Sequence, residues 1–147
     1  MSGGDTGDAA CPPLDGVLET VLYVDDLVRT TEFYADVMGL SPIFSDDRMA
    51  AFHTGDDRVL LLFLHGGSLD PVETPGGMIP PHDGSGPVHI AFGIADTDFP
   101  AWEKHLGANG IAIESRVDWP HGGHSIYFRD PDNHVLELAS RRLWARA

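Results

Sequence analysis

A chain of 147 residues with 42% hydrophobic content is large enough to bury one core, as a single domain or as two small halves sharing it. Nine Lys and Arg residues against 23 Asp and Glu leave a net charge of −14, which argues against a nucleic-acid partner because phosphate neutralisation needs basic side chains. No apolar run reaches the roughly 18–20 residues that a membrane helix needs, so a membrane span is excluded as well.

Residues 1–15 combine Gly, Asp, Pro and Ala with neither a cationic start nor an apolar stretch, and read as a disordered tail rather than a targeting signal. The one cysteine, Cys11, lies in this tail without an internal partner, which suits a reducing cytoplasm. Residues 17–24 (VLETVLYV) are rich in β-branched and aromatic types and predict a strand. Asp25-Asp26 offers an N-cap for a helix over 27–38, with Leu27, Thr31, Tyr34 and Met38 on one face and Gly39 placed to end it. Short strands follow around 40–45, 48–54 and 58–65, the last two separated by the turn Gly55-Asp56-Asp57. Together these make a first module over 16–65.

Residues 66–85 are too long and too rich in Gly and Pro for an ordinary connection of about 4–6 residues. They predict a linker or a lid, with Met78 and Ile79 able to cap a cleft. A second module follows over 86–140: a strand at 86–94, a cap at Asp96 to Asp98, and a helix over 99–108 with Pro100 in its first turn. Strands at 111–118, 124–129 and 134–139 complete it, the last two joined by the turn Asp130-Pro131-Asp132-Asn133. Residues 141–147 form a tail. The order βαβββ thus occurs twice, predicting an α+β fold built from two βαβββ modules.

Alternate side chains of a strand face opposite sides. Val88, Ile90, Phe92 and Ile94 form an apolar stripe suited to packing under a helix, with His89 on the other face. Leu18, Leu22 and Val24 oppose Glu19, Val21 and Tyr23, and Leu136 and Leu138 oppose Glu137. Three strands therefore each carry one ligand-type residue opposite the helix-packing stripe. Singly, an outward strand Glu is ordinary surface and a lone His is ordinary packing. If a pseudo-two-fold axis relates the modules, however, Glu19 and His89 converge across it, and a cation is one answer to the cost of placing carboxylates among apolar neighbours.

The segments LETVLYVDDLVRTTEFYADVMGL, GPVHIAF and SIYFRDPDNHVLELA resemble the vicinal oxygen chelate superfamily. That group includes glyoxalase I, extradiol dioxygenases, methylmalonyl-CoA epimerase, and fosfomycin- and bleomycin-resistance proteins. The resemblance implies paired modules forming a curved mixed sheet around an open cleft, and it implies metal ligands at Glu19, His89 and Glu137. A glyoxalase I-type site takes a further carboxylate or amide from the fourth strand of the first module, where this chain has Leu61 or Leu62. A Glu-His-Glu set suits a divalent ion such as Mn, Fe, Ni or Zn. Such an ion would act as a Lewis acid on a substrate oxygen, with Glu19 and Glu137 as catalytic groups and Glu19 the better placed to act as base.

Ser125, Tyr127, His65 and Tyr23 share the cleft parity of their strands and are candidate substrate-binding residues; Trp119 and Phe63 are candidate apolar walls. The leading expectation is a metal-dependent lyase, isomerase or dioxygenase acting on a small oxygenated substrate, as a cytoplasmic homodimer. The alternative is a bleomycin-resistance-type protein that sequesters a drug or small ligand without chemistry.

Overall fold

In the computed structural model, residues 11–145 are described, so the expected tail lies outside the described residues as far as residue 10, as do residues 146 and 147. Cys11 is exposed, and residues 11–18 form no regular secondary structure. The first strand, β1 (Glu19–Val24), leads through Asp25 and Asp26 into α1 (Leu27–Glu32). Asp26 caps that helix, its carboxylate accepting from the Arg29 N–H at 3.1 Å. The helix then widens into one π-helical turn over Phe33–Val37, and Gly39 ends it with a φ of 69°. The π turn changes the expected apolar face. Thr30, Phe33, Tyr34, Val37 and Met38 are buried, whereas Leu27 and Thr31 are only half-buried; the extra residue in the π turn lets Phe33 and Val37 join Tyr34 and Met38 on the buried side.

Strands β2 (Ser41–Ser45), β3 (Met49–Gly55) and β4 (Arg58–Leu64) complete the first sheet in the order β1-β4-β3-β2. Two short strands, β5 (Val72–Thr74) and β6 (Gly77–Ile79), turn the intervening segment into a hairpin. The second sheet repeats the first: β7 (His89–Ile94), a 3-10 turn at Asp96–Asp98, α2 (Phe99–Ala108), then β8 (Ser115–Asp118), β9 (His124–Arg129) and β10 (Val135–Ser140), in the order β7-β10-β9-β8. In each sheet the first and last strands are parallel and the others antiparallel, so each is mixed and the fold is α+β. The parallel pairs require a crossover, which each helix supplies.

Three strands start later than expected. The segment 111–118 forms a strand only from Ser115, because Ile111 and Ile113 turn toward the core instead. The expected starts at 17 and 86 move to Glu19 and His89.

One core joins the two halves. Leu22, Val24, Phe52, Leu60 and Leu62 from the first sheet and Ile126, Phe128, Leu136 and Leu138 from the second belong to a single buried cluster with residues of both helices. Since burial of apolar area dominates folding, both sheets turn their apolar faces to this core. Their other faces carry Glu19 and Glu137. A buried polar cluster also ties the halves: Asp130 accepts from Tyr34 at 2.6 Å and from His134 at 2.7 Å, and Asp132 accepts from Thr30 at 2.5 Å. No helix among the described residues is long and apolar enough to cross a membrane.

Candidate metal centre and ligand cavity

Register on the second sheet assembles one half of the candidate site. Glu137 on β10 stands opposite Tyr127 of β9, and His89 of β7 stands opposite Val135. The Glu137 carboxylate is 7% exposed, and Ser125 donates to its Oε2 at 2.5 Å. The Ser125 hydroxyl in turn accepts from the Trp119 indole at 2.9 Å. Ser125 is 1% exposed and commits its proton to Glu137, so it orients the carboxylate and has no donor left for a ligand. The other oxygen, Oε1, faces Nε2 of His89 at 3.1 Å.

The His89 ring is oriented from behind, with Nδ1 donating to the Val135 carbonyl at 2.8 Å. In the neutral tautomer this leaves a lone pair on Nε2 pointing at a carboxylate lone pair. Two acceptors face each other stably only with a cation between them, either a shared proton or a metal ion. A backbone carbonyl on one ring nitrogen and an open lone pair on the other is the usual dress of a metal-ligating histidine. The donor set therefore fits a divalent ion. Tyr127 borders the pair, its ring centroid 6.1 Å from that of His89. Burial, and then the Glu137 charge, push its phenol above the usual range, so it stays a hydrogen-bond donor at neutral pH.

Glu19 does not join this pair within one chain. Among the described residues, no three His, Cys, Asp or Glu side chains gather into a group able to hold a metal. The expected convergence across a pseudo-axis fails inside the monomer because the shared core holds the two site faces apart. Glu19 instead lines a cavity of about 500 Å³ on the first sheet, with Tyr23, Leu61 and Phe63 beside it. Leu61, not the buried Leu62, thus shares the cavity lining with Glu19, where it pairs with Val21 of β1, and it is apolar.

The segment expected as a linker or lid covers this cavity. Ser68, Val72, Ile79 and His82 line it, while Met78 is 60% exposed and does not. Tyr23 hydroxyl and His82 Nδ1 are 2.6 Å apart, and Gly84 lies so close to the Tyr23 ring that a Cβ there would sit 2.7 Å from it. His65 lines a smaller neighbouring cavity of about 240 Å³ and lies between Asp25 and Asp83, at 3.7 Å and 3.8 Å. The structure thus brings Ser125, Tyr127, His89 and Glu137 together, and places Glu19, Tyr23 and His65 on the first sheet. The sequence reading missed Arg48, Ser68 and His82, which come from turns and loops without periodicity. Trp119, expected as an apolar wall, also donates its indole N–H to Ser125.

Comparison with known proteins decides the family. A family model described as Glyoxalase/Bleomycin resistance protein/Dioxygenase superfamily matches residues 16–138. The chain belongs to this superfamily. Among superfamily relatives, biphenyl-2,3-diol 1,2-dioxygenase 3 of Rhodococcus globerulus is 33% identical over 125 residues, covering 80% of this chain but only 59% of the dioxygenase. Metallothiol transferase FosB of Staphylococcus haemolyticus is 30% identical over 126 residues, covering 85% of this chain and 83% of the transferase. A solved lactoylglutathione lyase from Agrobacterium tumefaciens matches with a TM-score of 0.82 at 30% identity, covering 92% of this chain and 100% of that one. The superfamily relatives thus include a dioxygenase, a metallothiol transferase and a lyase, so the fold alone does not select the reaction.

Proposed function

We propose that this protein is a metal-dependent enzyme acting on a small oxygenated substrate, of lyase, isomerase or dioxygenase type, and that it works as a homodimer. The observation that carries this reading is the facing of His89 Nε2 and Glu137 Oε1 across 3.1 Å, with each group held from behind by a donor or acceptor of its own. His89 and Glu137 hold a divalent ion, Mn, Fe, Ni or Zn, and Glu19 of a second copy supplies the third ligand. The ion supplies Lewis acidity toward a carbonyl, hydroxyl or enediolate oxygen of the substrate. Ser125 and Trp119 keep the Glu137 carboxylate in place, which preserves the ligand geometry as substrate enters. Tyr127 donates a hydrogen bond to a substrate oxygen beside the pair. Glu19, which is exposed, acts as the proton acceptor.

The sheet edges support a second copy. The outer edges of β1 and β7 pair with no strand among the described residues, and these edge strands carry Glu19 and His89. Open sheet edges are ready templates for association. A leucine at position 61 removes the fourth carboxylate or amide of a glyoxalase I-type set, so the reading favours a three-ligand centre over glyoxalase I chemistry.

Metal content tests the proposal directly. Purified protein loaded with Mn or Zn should hold about one ion per chain, and His89→Ala, Glu137→Gln and Glu19→Ala should each lose it. Mixing Glu19→Ala with Glu137→Gln chains should restore up to one intact site per dimer. Unchanged stoichiometric metal in all three variants, or a monomer at assay concentration that binds metal fully, would overturn it.

A further inference from the structure

The cavity on the first sheet contains a cation that none of the roles above uses. Arg48 sits in the turn between β2 and β3, where Asp46 accepts from the backbone N–H groups of Arg48 and Met49, both at 2.8 Å. Its guanidinium reaches into the cavity rather than into solvent. It donates to the buried Ser68 hydroxyl at 2.9 Å, and its central carbon lies 5.4 Å from the Phe63 ring centroid. Ser68 is itself pinned where the covering loop closes, its carbonyl accepting from His82 N–H at 2.9 Å.

Burial makes this placement unusual. In a chain with a net charge of −14, Arg116, Arg129 and Arg142 pair with Glu103, Glu114 and Asp96, whereas Arg29, Arg48, Arg58 and Arg141 have no carboxylate within 4.0 Å among the described residues; of these four, Arg48 is half-buried and the other three are exposed. A half-buried guanidinium is costly to desolvate unless its donors are satisfied, and Ser68 satisfies only one of five. The remaining donors form a planar fork of the shape that suits a carboxylate. In the same cavity, Tyr23, Phe63 and His82 present an aromatic wall, with centroids 4.6–6.3 Å apart.

We propose that Arg48 is a specificity-determining residue that binds a carboxylate or comparable oxyanion on a small substrate, whose apolar or aromatic body lies along Tyr23, Phe63 and His82. This deepens the proposed function and rests on it for the reaction, since it names the substrate class: a small anion with an aromatic or apolar part. Glu19 and Asp70 on the same lining repel a second anionic group, so the oxyanion end is selected for the Arg48 side.

Benzoate and benzyl alcohol serve as matched probes, titrated into the full chain in the presence of a chelator and followed by calorimetry and amide chemical shifts. Benzoate should bind about tenfold tighter than the alcohol, as a charge-assisted hydrogen bond implies, with shifts centred on Phe63 and Ser68. Arg48→Met should erase that preference, while Arg48→Lys retains part of it; thermal melts of both confirm the folded state. Equal binding of the two probes, shifts located elsewhere, or a preference that survives in Arg48→Met would overturn the proposal. Glu137→Gln separates the two readings. It should keep the benzoate preference even if the metal centre proves absent, and loss of the preference there would assign the anion to the second sheet and sink the role of Arg48.

Discussion

Ser125→Ala probes the candidate centre without touching a ligand. The hydroxyl is 1% exposed and gives its proton to the 7% exposed Glu137 carboxylate at 2.5 Å. Alanine leaves that oxygen buried without this donor. A hydrogen bond to a charged group contributes about 1.5–3 kcal/mol, and the unsatisfied carboxylate bears most of the loss. The Trp119 indole loses its acceptor too, but Trp119 is 37% exposed and its N–H can turn to water, so it adds little. At about 2–4 °C per kcal/mol for a chain near this length, the thermal midpoint should fall by about 3–12 °C. Urea denaturation at neutral pH measures the same quantity, with Ser115→Ala, an exposed position, as a control expected within about 0.5 kcal/mol. In metal-loaded protein the same variant should weaken ion binding by roughly 10–100-fold, as losses behind a ligand do. A destabilisation below about 0.5 kcal/mol, with metal affinity intact, would refute the reasoning, because it would mean that the Glu137 oxygen is already served by solvent.

Tyr34→Phe removes a buried donor from Asp130, which holds it at 2.6 Å, and should cost about 1–3 kcal/mol by chemical denaturation; no measurable loss would show that the cluster is not satisfied by Tyr34. His134 has its pKa raised above the ordinary histidine value, first by its hydrogen bond to Asp130, which outweighs the opposing effect of burial, with Asp130 and Asp132 charges adding to the rise. The stability it contributes is therefore complete below about pH 6.5 and is lost as pH rises through the raised folded value. Melts from pH 6 to 9 should show wild type losing stability with rising pH, and His134→Gln should flatten that slope; an unchanged slope would assign it elsewhere. Gly84→Ala places a Cβ 2.7 Å from the Tyr23 ring, so the ring or the covering loop must move, lowering stability by about 1–3 kcal/mol and breaking the Tyr23–His82 bond; Gly76→Ala, with open space around it, should be neutral by comparison.

Local patterning was enough to read most of the fold. Strand alternation and helix caps are decided by neighbours within a few residues, so the twofold βαβββ order, the helix over 99–108 and the strand over 124–129 were legible before any tertiary contact was considered. The same alternation put Glu137 opposite Leu136 and Leu138 and paired it with Ser125 and Tyr127 on one face, where the structure places them. The π turn after Glu32 and the hairpin within 66–85 left no periodic trace, because each depends on packing against distant residues.

What only tertiary structure decided is which faces meet. Glu19, His89 and Glu137 are each identified by parity, but parity says nothing about the relative placement of two sheets. The apolar faces of both sheets bury each other in one core, and that burial turns their site faces apart. His89 and Glu137 meet because β7 and β10 are hydrogen-bonded neighbours, while Glu19 belongs to another sheet and to a cavity shared with Arg48. Arg48, Ser68 and His82 are brought together over 20 and 14 residues of chain by a loop closing on a turn, a contact no local pattern encodes.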